Sequence, residues 1–417
     1  MPDPAFLLML LGFALMGLHV PKAFTLLYGV LVLLLWSARP IRSPSPRLLL
    51  AGVLLAGFGL GYAVISVRFG LWTLGGRDVL DLASMLVLPA GALWVGALAA
   101  RQLSWRQMGW LWLAYGLGAL AFAWLVLLDG RVMVSGGEWI DLLQRRRDSS
   151  ITVPWGSDPS MNVRSIEQNA ALAAAWLLPG GWLLLRPGER RLGVWLGTFG
   201  LLALLAVLCF NGRLGFLVAL IGVVPVMVAM DLPRRVWRRV LLLLAGLGVA
   251  VAVVAAQVPR LGTQLRSRLY DERLDRFAGF LPAAPQFPWG GNQLHFDVVD
   301  QQRQVLMQFD ARQGELMHNV FFDIYVRVGW LPLLLLALGL VLLLPPALGN
   351  LRHALRSPHD QAGGLLLAGV LVCLTVQWLF QPLIFGDGLL FYLGFLLLGC
   401  LAARTPEPTP SPTATSR

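Results

Sequence analysis

Residues 257–332 read QVPRLGTQLRSRLYDERLDRFAGFLPAAPQFPWGGNQLHFDVVDQQRQVLMQFDARQGELMHNVFFDIYVRVGWLP. They form the longest polar interval in a chain made mostly of apolar runs. The stretch concentrates arginine, holds two of the five histidines (His295 and His318), and is flanked by apolar segments of membrane length. A loop this long is usually either functional or disordered. Its Trp, Phe, Leu and Val, mixed with the charges, favour a folded surface domain over disorder. Outward from it on both sides, the chain reads as the membrane body on which that domain stands.

Composition agrees. The 417 residues are 57% hydrophobic and only 13% charged, whereas a soluble protein carries charge on roughly a quarter of its residues. Apolar runs begin near Ala5, Phe24, Leu48, Leu80, Gly109, Ala170, Leu192, Leu214, Val240, Val328, Gly363 and Leu389. At roughly 20 residues per crossing they predict an all-α polytopic membrane protein with about 12 transmembrane helices. A transmembrane β-barrel would need short alternating segments instead. The first run lacks a basic leader and passes straight into the second, so it reads as a spanning segment, not a signal peptide. Cys209, Cys373 and Cys400 all lie in apolar runs and read as small buried hydrophobes.

Arginines in the short connections set the orientation. With the N-terminus in the cytoplasm, Arg39, Arg42 and Arg47, then Arg101 and Arg106, then Arg186, Arg190 and Arg191 fall inside. Arg234, Arg235, Arg238 and Arg239, and then Arg352 and Arg356, fall inside too. Two long loops then lie outside, residues 129–168 and the opening stretch. The expected organisation is a membrane body over 1–256 with nine helices, a large loop domain over 257–327, three further helices over 328–403, and a disordered tail over 404–417.

The net charge of +11 rests on arginine, because Lys22 is the only lysine. Such a balance suits anionic headgroups or a phosphate-bearing substrate. Arg145, Arg146 and Arg147 read as a solvated basic face near lipid, while Arg164, Glu167 and Asn169 sit at the mouth of a helix. Arg213, in the tight turn Asn211-Gly212-Arg213, is flanked by apolar residues on both sides. Arginine so close to the membrane core is expensive and marks a functional site. Val298, Val299, Val305, Leu306 and Phe309 recur at near-helical spacing, which predicts an amphipathic helix lying on the bilayer or the body. A further helix is expected over 318–344. Walker, dinucleotide, HExxH and paired CxxC motifs are absent, and nothing suggests nucleic-acid binding.

Three features, in chain order, resemble the O-antigen ligase and polymerase family of bacterial envelope enzymes. The first is Asn211-Gly212-Arg213-Leu214-Gly215. The second is Arg273-Leu-Asp-Arg276-Phe277 followed by Pro288-Trp-Gly290-Gly291-Asn292. The third is His318-Asn319 opening a segment that reaches Gly329. The resemblance implies a GT-C-type membrane glycosyltransferase with one large periplasmic loop domain, in the bacterial inner membrane. Its donor would be a glycan on undecaprenyl pyrophosphate, its acceptor lipid A–core, and it would need no metal ion or cofactor. A polymerase would use the same donor chemistry on another lipid-linked unit, and a lipid-linked oligosaccharide transporter is the alternative of a different class.

With no metal, arginines must balance the departing pyrophosphate, and their planar forks match its oxygens. Arg213 and Arg273 are the first candidates, with Arg276, Arg164, Arg266 and Arg268 as further phosphate or substrate contacts. The acceptor alcohol needs a proton acceptor, and His318 titrates in the right range. Glu167 or Asp323 is the alternative base. Asn319 and Glu167 complete the expected substrate-binding set.

Overall fold

Apolar side chains at helical spacing bury one face and leave the other for lipid, and most of the expected runs do so. The structure is a computed structural model, which describes residues 4–20, 45–71, 79–128, 164–186, 188–209, 272–299, 304–380 and 388–404. Its helices are α1 (Pro4–Gly17), α2 (Pro46–Arg68), α3 (Val79–Gln102), α4 (Trp105–Leu128), α5 (Arg164–Gly180) and α6 (Arg190–Cys209). After these come α7 (Glu272–Ala283), α8 (Val320–Val328), α9 (Trp330–Arg356), α10 (Gln361–Phe380) and α11 (Gly388–Ala402). The expected runs from Phe24, Leu214 and Val240 lie outside the described residues, so the expected count of 12 extends beyond them.

Among the described residues, six helices are long and apolar enough to cross a bilayer: α2, α3, α4, α6, α9 and α10. The apolar helices α1, α5 and α11 are shorter. This is the organisation of a polytopic membrane protein. Exposed faces show which solvent the bundle is built for. Leu49, Leu50, Val53, Leu60, Val64 and Val67 of α2 all point outward, as do Leu334, Leu338, Val341 and Leu348 of α9. A stripe this apolar would be a liability in water; against lipid tails it is neutral.

Within lipid, helices associate through close packing and not through hydrophobic burial, which favours small residues at crossings. The bundle shows this most tightly at two crossings. Cβ atoms added at Gly17 and Gly118 would run into Tyr115 and Ala14, where α1 crosses α4; added at Gly96 and Gly399 they would run into Leu396 and Leu93, where α3 crosses α11. Cys373 and Cys400 are buried and free, as expected of small hydrophobes. Cys209 is the last residue of α6.

The segment from Glu272 to Val328 forms a small second layer on the bundle. Here the expected amphipathic helix over 298–309 gives way to a β-hairpin: β1 (His295–Val299) pairs antiparallel with β2 (Val305–Asp310), with a bulge between Val298 and Val299. The helical spacing was a coincidence of two period-2 patterns separated by a polar Asp300–Arg303 insert. Within each strand Phe296 and Val298, or Met307 and Phe309, alternate with Asp297 or Gln308, which is the strand signature. Phe296 stacks on its cross-strand partner Phe309 at 4.9 Å. Val298, Phe309, Leu294, Met317, Phe280 and Val326 close a compact core beneath.

Helix α8 belongs to both layers. Val320, Ile324 and Val328, at i, i+4 and i+8, sit in the core of the membrane bundle, while Val326, Phe322 and Tyr325 sit in the core of the outer layer. The expected continuous helix over 318–344 is broken at Gly329, which has φ 76° and ψ −168°. Only glycine adopts that conformation readily, and a Cβ there would strike Pro288 and Trp289. The turn Pro288–Asn292 is threaded against this break. Gly291 and Asn292 donate to the carbonyls of Arg327 (2.8 Å) and Val326 (3.0 Å), and Trp330 donates to the carbonyl of Pro288 (3.0 Å). Two carbonyls in the last turn of α8 that the helix leaves unpaired are thereby satisfied. The second and third sequence features are therefore one structural unit.

Candidate active site around His318

The chain enters α8 from β2 through a loop that is pinned at almost every step. Ala311 donates to the carbonyl of Leu294 at 3.0 Å. Arg276 reaches across from α7 and donates to the carbonyl of Leu316 at 2.9 Å, with its other terminal nitrogen 3.3 Å from the Met307 sulfur. The amide of Met317 donates to Oδ1 of Asp323 at 2.7 Å. Asn319 then caps the helix: its Oδ1 accepts from the amides of Phe321 (3.0 Å) and Phe322 (3.2 Å). Its Nδ2 donates to the carbonyl of Leu379 at 3.0 Å, tying the site to the last turn of α10.

His318 sits between these anchors with φ 57°. The left-handed region costs an L-residue roughly 1–2 kcal/mol, less for Asn, Asp and His than for β-branched types. Strain of this kind collects at functional sites. The surrounding bonds hold the backbone there, and its ring nitrogen Nδ1 is buried. Below lies Asp323, 2% exposed. Burial pushes its carboxyl up to about 7, against the opposing pull of the Met317 and Asn319 amides and, more weakly, of the Arg276 charge. Its Oδ2 has no hydrogen-bond partner among the described residues. Among the described residues, no three of His, Cys, Asp and Glu come together as a metal-ligand set.

The stretch that builds this site, together with the helices on either side of it, matches a known family. Residues 198–337 fit the family model described as O-antigen ligase. This stretch is an O-antigen ligase domain. The match runs from within α6 into α9 and takes in all three sequence features. No curated protein matches the chain significantly. The similarity, at the level of that stretch, is to enzymes of the O-antigen ligase type.

The other expected site residues of this O-antigen ligase domain and its surroundings fall in different places. Arg273 lies in the first turn of α7, three residues before Arg276. Arg164 and Glu167 lie in the first turn of α5, and Asn169, in the same helix, is buried at 1% exposure. Arg213, Arg266 and Arg268 lie outside the described residues, so the structure does not bring them to His318 or keep them from it. His295 is on the exposed edge of β1, 3.1 Å from the carbonyl of Gln293. Arg276 and Asn319, expected at the substrate, both spend polar atoms on holding the His318 loop.

One buried charge does not stand out in the sequence. Arg327, in the last turn of α8, donates to the carbonyl of Leu71 at 3.1 Å and lies 5.6 Å from the centroid of the Tyr62 ring. It locks α8 onto the end of α2. The available signal was an arginine on an apolar helix two residues before a glycine.

Proposed function

We propose that the protein is a glycosyltransferase that joins a polyprenyl-pyrophosphate-linked O-antigen chain to a sugar hydroxyl of lipid A–core at the periplasmic face. The observation that carries the proposal is the coincidence of the O-antigen ligase match with a strained, firmly held histidine at one end of a membrane bundle. Both substrates are amphiphiles, so a site where a small polar layer meets lipid-facing helices suits them.

In the reaction, the bond between the donor's anomeric carbon and the pyrophosphate oxygen breaks, and the electron pair leaves with the pyrophosphate. The acceptor oxygen forms the new bond to that carbon and loses its proton. His318 takes this proton, since imidazole titrates near the working pH. Arg213 and Arg273 balance the charge that grows on the leaving group, where fixed positive charge contributes most. Arg164, Arg266 and Arg268 are assigned as further phosphate contacts in this reading, and Glu167 as part of the substrate-binding set.

Purified protein in vesicles with lipid-linked glycan and lipid A–core should yield joined product and free polyprenyl pyrophosphate. Arg213→Ala, Arg273→Ala and His318→Ala should each lower turnover by about 100-fold or more at unchanged protein amount. A transporter would yield no joined product. Deleting the gene should leave long lipid-linked chains unattached; single repeat units on lipid A–core would instead identify a polymerase.

A further inference from the structure

We infer that Asp323 is a positioning residue for the transfer proposed above, gripping the main chain immediately before His318 as a hydrogen-bond acceptor and taking no proton from the acceptor sugar. The inference rests on His318 acting in that transfer. The amide just ahead of His318 is held by the Asp323 carboxylate. Met317 makes that short bond at 2.7 Å, and Asn319, on the other side of His318, caps the helix that carries the carboxylate. The Asp323 amide in turn donates to the carbonyl of Asn319 at 2.8 Å, so the side chain is locked to the first turn of α8. The grip extends one residue upstream, where Arg276 holds the carbonyl of Leu316. A histidine with φ 57° needs such restraint, because the unrestrained chain would relax out of the left-handed region.

A general base must come within hydrogen-bond reach of the hydroxyl it deprotonates. Asp323 is 2% exposed, and Met317, whose amide covers Oδ1, is itself fully buried. What the site asks of residue 323 is an acceptor of the right length, and a neutral side chain can supply that. A carboxyl raised to about 7 is half protonated at neutral pH already.

Asparagine keeps the acceptor and removes the basicity, which makes the test direct. In vesicles carrying lipid-linked glycan and lipid A–core, Asp323→Asn should turn over within about threefold of wild type with the same pH–rate profile. Asp323→Ala should lose kcat by roughly 10- to 100-fold, the scale of a misplaced catalytic group, with donor KM little changed. If the alanine protein does not accumulate, Asp323→Leu, which keeps the branching at Cγ but offers no acceptor, takes its place. Asp323→Asn as inactive as Asp323→Ala, beside an active wild type, overturns the inference and makes Asp323 the base. Wild-type rates in the alanine or leucine protein, or a loss confined to KM, overturn it as well. A wild-type protein that joins nothing overturns the proposed function and this inference with it.

Discussion

A buried carboxyl leaves its mark on stability as well as on geometry. Asp323 has a folded pKa of about 7 against an ordinary value of 3.8, so the folded protein binds this proton more tightly than the unfolded chain. Its contribution is fully present below the unfolded value and is lost as pH rises through about 7, at about 1.4 kcal/mol for each pH unit crossed. The thermal midpoint of the wild type in detergent should therefore fall, relative to Asp323→Asn, between pH 4 and pH 7. Parallel curves would show that the carboxyl is not held neutral. Asn319 makes a separable contribution. Asp in its place keeps an oxygen for the cap, whereas Ala loses the cap at a cost of about 1 kcal/mol. Limited proteolysis of the 311–319 loop should rise in Asn319→Ala and much less in Asn319→Asp.

At the scale of elements, long helices were easy to find and short ones were not. The runs from Leu48, Leu80, Gly109 and Gly363 became helices because about 20 apolar residues have one solution in lipid. Between Glu272 and Gly329 no single force dominates, and two readings turned on local detail. Val298, Val299, Val305, Leu306 and Phe309 fit a helical period only when the polar insert between them is counted as part of the pattern. With the insert set aside, Phe296, Val298, Met307 and Phe309 show the strand period. Gly329 sat inside an apolar helical pattern, where a glycine near the end signals a cap; only the Pro288–Asn292 turn packed against it made the break visible. The site was legible in part. His318-Asn319 and Gly329 stood out by resemblance, but the support that Arg276 and Asp323 give depends on partners 31 to 40 residues away and 6 residues away respectively, and sequence spacing alone does not report those contacts.

Over the whole molecule, the helix crossings divide glycines into those that hold the bundle together and those that do not. Gly118 lies against the backbone of Ala14 and Leu18, so Gly118→Leu should force α1 off α4 and sharply reduce folded protein recovered from membranes. Gly349 of α9 has open space around it, and Gly349→Ala should be neutral or stabilising by up to about 1 kcal/mol, as helix propensity dictates. Fluorescence-detected size exclusion of the two variants compares them directly. Equal recovery would mean that the α1–α4 crossing is not needed for the bundle.

The two-sided character of α8 also sets how the protein can be handled. A stretch of polar sequence between membrane helices invites excision as a water-soluble module for crystallisation or antibody production. A fragment ending at Val328 would carry Val320, Ile324 and Val328 without the bundle that buries them, and Arg327 without the Leu71 carbonyl and Tyr62 ring that receive it. Asn319 would lose its tie to α10 in the same cut. Such a fragment would be sticky and would present His318 on a floor that no longer exists, so binders raised against it would select a shape the intact enzyme never displays.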